Sequence, residues 1–564
     1  MKLVNFPLII SILMLMFSLN TFATINDNSN FPLDELIALG HQFPEKNYFD
    51  IAYTNIEMAK NLYVQQLIMD CMADSELQEL NGILREYKSL LQKETKFLSD
   101  TDSPVNVDSL NYYQKEIEEF KYYITETSPQ YALFLLSHHP IKLKKIQNVY
   151  LEDREALLNY RIEENHTLVF VVLKDTFHVV TCNIGRNEIF EKTTRLMTPL
   201  HKIRNPLELD FNLVLAHELY RKLFMPIESF LTDIKSIIII PDDVMVGFPF
   251  GCLIVDPTTG KRDSEEEIMY AEFEKMTFLI QKYAIGYNFT SLALDPVFLK
   301  PRAKEKLGRK LLTMTDVIGA DPADIVSEDE WDYQSPAYGK EEAEHISRIL
   351  WRHENISAEN ATVEYFKENS HRFRWIYLAA PAFLNNENPE KSRILFSGKD
   401  IFAYSRLKIA DVLNCSLRTD LLTITGCQLS PIDIHQKPGA IVMPQAFLMA
   451  GAQSVLYNLW RVQDRSVIYL MSKFYFELKY KRQTNSMALQ RAKIASLQDT
   501  FILNGHKISR AHPYFWASYV LTGNVNIRPP TFSTIPPNIV IIIVYLIVAF
   551  ISLLIVRKTM QRRE

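Results

Sequence analysis

The chain has 564 residues, too many for one ordinary hydrophobic core, and its 47% hydrophobic and 23% charged side chains argue against extensive disorder. A formal net charge of -6, with no basic domain or stripe, speaks against nucleic acid as a partner. Cys71, Cys182, Cys252, Cys415 and Cys427 show neither CxxC spacing nor a matching histidine cluster, so no zinc site, disulfide framework or cofactor is signalled.

Residues 1–23 place Lys2 before an apolar run and then Thr21, Phe22 and Ala23, the pattern of an export signal peptide. Residues 24–127 read as a helical region. Leu77, Leu80, Leu84, Tyr87, Leu91 and Leu98 recur at three- and four-residue spacing, with Glu94 interrupting, and Val107, Leu110, Tyr113, Ile117, Phe120 and Ile124 repeat the pattern. The SDTDSPVN segment between them suits a tight connection, so a helical hairpin is expected over 75–124, with self-association through its apolar stripes as one use. No convincing 34-residue repeat is present.

After Ser128 and Pro129 the texture changes to short β-branched runs, such as Leu168 to Leu173, Ile237 to Ile240, Trp375 to Ala379 and Leu421 to Thr425. Helical stretches such as Glu341 to Trp351 and Val467 to Leu478 alternate with them. Strands apolar on both faces and interleaved with helices predict an α/β fold with a largely parallel sheet, whose chemistry collects beyond the strands' C-terminal ends. A linker is expected over 526–538. Ile539 to Val556 is uncharged and apolar for 18 residues, followed by Arg557, Lys558, Arg562 and Arg563. This pattern predicts a single transmembrane helix over 539–556, a cytoplasmic tail at 557–564, and the main domain in the periplasm or outside the cell.

The apolar run LLTITGC ends in Cys427, whereas the upstream run WIYLAAPA ends without a histidine. A cysteine peptidase needs a thiolate nucleophile and a proton donor for the departing amine, so half of that machinery is missing. His371 precedes the Trp375 run and so enters at the wrong end of the strand. His435, in the loop QLSPIDIHQKPGA after Cys427, is placed to fold back over the thiol as a substitute. His138 and His139 have no third ligand in view and read as loop residues.

Several segments in order, PDDVMVGFPFGCL, KEEAEHISRIL, NATVEYF, LTITGC, PQAFLMAGAQSVLYNLWRV, KFYFEL, MALQRAK and HPYFWASYVLTG, resemble the CHAT domain, a caspase-related group of clan CD cysteine peptidases and relatives. The resemblance covers about 128–525, with a non-catalytic half at about 128–335 and a catalytic-like half at about 336–525. It implies a caspase-like sheet flanked by helices, often preceded by tandem helical repeats, here degenerate or absent. It also implies that Cys427 holds the nucleophile position after Gly426, and that the family's His-Gly pair falls on Pro381 and Ala382. Proline can neither donate nor accept a side-chain proton, and losing such a member costs on the order of 10⁴ to 10⁶ in rate in comparable enzymes. The reading is therefore a membrane-anchored pseudopeptidase that binds a protein or peptide partner. The alternative is an active endopeptidase using Cys427 with His435.

Overall fold

A computed structural model describes residues 33–43, 47–72, 78–87, 89–90, 107–127, 141–203, 205–257, 268–294, 311–315, 339–350, 353–385, 389–398, 404–429, 442–528, 542 and 544–552. The β-branched and aliphatic runs form the strands of one large sheet: β1 Glu155–Ile162, β2 Thr167–Val172, β3 Phe177–Cys182, β4 Ser236–Ile240, β5 Ala284–Tyr287, β6 Leu311–Thr315, β7 His353–Ser357, β8 Trp375–Leu378, β9 Leu421–Ile424, β10 Ser454–Asn458 and β11 Tyr519–Gly523. These eleven lie in the order β7-β6-β8-β9-β10-β11-β5-β4-β1-β2-β3. Central strands such as β4 (SIIII) and β8 (WIYL) are buried on both faces because helices cover both, which is why they read as continuous apolar runs.

The sheet has a seam at β11. It pairs antiparallel with β10 and parallel with β5, so strand direction reverses there. On one side β6, β7, β8, β9 and β10 are mutually parallel, and on the other β1, β4 and β5 are. The two halves therefore present their C-terminal strand ends at opposite edges of one sheet. Helices Asp464–Tyr480 and Asn485–Ser496 pack as a pair, and Gly339–Ile349 packs on the former. Trp460 and Trp516 are buried in the adjoining core, their indole N–H groups donating to the carbonyls of Tyr514 and Ala511.

The helix Tyr48–Met69 buries most of its circumference, leaving Ala59 and Tyr63 exposed, and it carries Glu57, Lys60, Asn61 and Gln65 among its buried residues. It packs against the helix Val442–Met449 and sits over the strand ends of the 128–335 half. Residues 78–87 and 89–90 are also helical and meet the helix Val107–Thr127, with the Tyr87 and Phe120 rings stacked at 6.2 Å.

Two expectations need correction. Among the described residues no helix is long and apolar enough to cross a membrane. Within 539–556 the described residues are 542 and 544–552, all helical. The fold is thus a mixed α/β unit with a large sheet, and the single-pass anchor, its topology and the partner role of the membrane are withdrawn. The signal peptide at 1–23 and the tail at 557–564 lie outside the described residues, as do His138 and His139.

Candidate functional site

β8 and β9 run parallel and in register, with Trp375 opposite Leu421 and Leu378 opposite Ile424. Past their ends the chains stay together. The Thr425 amide donates to the Leu378 carbonyl at 3.0 Å, and the Ala382 amide donates to the Gly426 carbonyl at 2.9 Å. The short strands Ala382–Leu384 and Cys427–Leu429 then pair in parallel, with Ala382 directly opposite Cys427. Arg393–Ser397 and Tyr404–Lys408 extend this pair into a four-stranded sheet, and the Leu395 amide donates to the Pro381 carbonyl at 2.8 Å. A Cβ on Gly426 would lie 2.1 Å from the Ala380 carbonyl oxygen, so only glycine permits this approach of the two chains.

The backbone therefore brings the Pro381 and Cys427 positions together at the C-terminal ends of adjacent strands. Pro381 is buried and offers no proton. The Cys427 backbone is in a strand, but its side chain lies outside what is described, and His435 lies wholly outside the described residues. His371 is exposed in the turn Ser370–Arg372, which leads into the N-terminal end of β8, the end opposite Pro381. The remaining cysteines are poor nucleophiles. Burial pushes the thiols of Cys182 and Cys252 up to about 12 and that of Cys415 up to about 11. Burial, with the carboxylates of Glu390 and Asp70, pushes that of Cys71 up to about 12.

Sequence reasoning missed the polar groups beneath the strand ends. Glu342, in the first turn of Gly339–Ile349, is buried, and its carboxyl oxygens accept from the Tyr377 hydroxyl and, at 3.5 Å, from the Thr425 hydroxyl. The Tyr475 hydroxyl meets that of Thr423 at 2.8 Å. Burial, and then the charge of Glu342, hold the Tyr377 hydroxyl well above its usual range, so it remains a donor. Glu342 falls in a charged helical segment, KEEAEHI, whose pattern alone does not separate this buried carboxylate from its solvated neighbours.

At the opposite edge, Lys60 Nζ donates to Asn159 Oδ1 at 2.8 Å and to the carbonyls of Tyr160 and Pro241 at 2.7 and 3.1 Å, with Asp242 at 3.9 Å. Asn159 in turn donates to Glu57, which also accepts from the Ser291 amide, each at 2.6 Å. Beside this cluster a cleft of about 440 Å³ is lined by Arg161, Glu163, Arg186, Asp242 and Asp243 among others. Both of its arginines are paired, Arg161 with Glu163 and Arg186 with Asp243. Among the described residues no group of three or more histidine, cysteine, aspartate or glutamate side chains suits a metal ion.

A family model described as the CHAT domain matches residues 213–524. Among curated proteins, Tetratricopeptide repeat protein 28 of Homo sapiens is 29% identical over 126 residues, which make up 22% of this chain and 5% of that protein. This chain thus spans only a small part of that relative's length. Two crystal structures of the Saccharomyces cerevisiae separase–securin complex overlap 84% and 87% of this chain and 40% and 37% of the matched chains. Their identities are 8% and 10% and their TM-scores 0.38 and 0.36, too loose a likeness to carry further weight.

Proposed function

The chain belongs to the CHAT domain family, and from that premise we propose that it is a pseudopeptidase: a peptidase-type scaffold whose strand-end site holds an extended peptide of a protein partner without cutting it. The observation that supports this reading is Pro381, which precedes Ala382 opposite Cys427 and holds the position where the family resemblance expects a histidine. Amide cleavage by a thiolate needs a proton delivered to the leaving nitrogen, and proline delivers none. Binding needs less. Among the described strands Cys427–Leu429 is one of the two edge strands of the four-stranded sheet, and an extended peptide adds to such an edge through main-chain hydrogen bonds. The opposing reading, turnover with His435 as the base, rests on a residue outside those described.

The test is equilibrium binding of the purified full chain to an immobilised library of extended peptides, followed by mass analysis of what is eluted. Peptides retained and recovered intact, with the same affinity for Cys427→Ala, are the expected result. Cut peptides, or no retained peptide at all, would overturn the proposal.

A further inference from the structure

We propose that Glu342 is the positioning residue of the strand-end site, a single buried carboxyl group that ties the strand leading to Pro381 to the strand leading to Cys427. The inference deepens the binding reading above and rests on it for its functional meaning. Tyr377 lies in β8 and Thr425 just past β9, the two segments that run on into Pro381 and Cys427. Their hydroxyls converge on the two oxygens of one carboxyl group, which is carried not by either strand but by the helix Gly339–Ile349.

The register makes this possible. Tyr377 is opposite Thr423, and residues two apart on a strand share a face, so Tyr377, Thr423 and Thr425 all look toward the same helical layer. Tyr475, from the helix Asp464–Tyr480, grips Thr423 on that face. The alternate positions Ile376, Leu378, Leu422 and Ile424 are apolar and buried. A carboxyl group is costly to bury, and backbone pairing already holds β8 to β9, so sheet formation alone does not call for one here. What it adds is a fixed spacing where regular pairing gives out. Beyond Leu378 and Ile424, pairing passes to the bonds of Thr425 to Leu378 and of Ala382 to Gly426, which set how the two site positions face one another.

Native-state hydrogen exchange on the full chain tests this. Glu342→Leu is expected to speed exchange at the Thr425 and Ala382 amides by about tenfold or more while leaving β2 unchanged. Glu342→Gln, which keeps an acceptor oxygen, is expected to restore protection to within about threefold of the parent, a rescue that a mere space-filling role would not give. Tyr377→Phe and Thr425→Val preserve volume, and each should loosen chiefly its own strand end; they decide the matter if Glu342→Leu does not fold. Unchanged exchange at both amides, or acceleration spread equally into β2, would overturn the assignment. Local acceleration in a chain that retains no library peptide would leave the positioning role standing and defeat the binding reading instead.

Discussion

At Pro381 a side chain that cannot carry a proton occupies a position that the backbone aligns with Cys427, through Ala382 opposite it. Gly426 makes that alignment possible. Any β-carbon there meets backbone rather than a flexible side chain, with the Ala380 carbonyl carbon at 2.6 Å and the Pro381 nitrogen at 3.2 Å, so neither neighbour can yield without moving a strand end. Gly426→Ala is therefore expected to destabilise the chain by about 1–3 kcal/mol, read as a lower urea midpoint at an unchanged denaturant slope. The two strands were legible in the sequence as the apolar runs within WIYLAAPA and LLTITGC, whereas their pairing was expected only through the family resemblance. Glu342 was not legible, because whether a glutamate in a helical segment is solvated or buried against hydroxyls depends on the register of strands distant in sequence.

Among the elements, the helix Tyr48–Met69 departs most from what its sequence suggests. Amphipathic periodicity marks surface helices, and this one is largely enclosed, so Glu57 and Lys60 follow partners on β1 and after β4 rather than a solvent face. Lys60 uses its donors on Asn159 and the carbonyls of Tyr160 and Pro241, beside Asp242 and close to Glu57. Taking away one member of such a buried group leaves charges without compensation. Lys60→Met is accordingly expected to cost about 3–5 kcal/mol, measured by chemical denaturation, and to raise hydrogen exchange along 48–69 ahead of the rest of the chain. Stability within about 0.5 kcal/mol of the parent would instead place Lys60 among ordinary surface lysines. The apolar run at 539–556 illustrates the converse limit, since its composition fits a spanning helix while no helix among the described residues is long and apolar enough to cross a membrane.

The described residues are organised on one eleven-stranded sheet with a seam at β11, so its two halves turn their strand ends to opposite edges. One edge carries Pro381, Gly426 and Cys427 above Glu342. The other carries the Lys60 cluster, covered by the helix Tyr48–Met69. The α/β texture and the motif series were readable because parallel strands covered on both faces leave uninterrupted apolar runs. The reversal at β11 was not, because pairing direction depends on how the chain returns and leaves no periodicity in the sequence. On the reading proposed above, this architecture is kept without the chemistry of a peptidase. The most direct test of that reading is peptide cleavage by the full chain, set beside the Pro381→His, Ala382→Gly double variant and Cys427→Ala. No cleavage is expected from the native chain, and cleavage dependent on Cys427 is expected once the histidine and glycine are in place. Cleavage by the native chain that disappears in Cys427→Ala would contradict it.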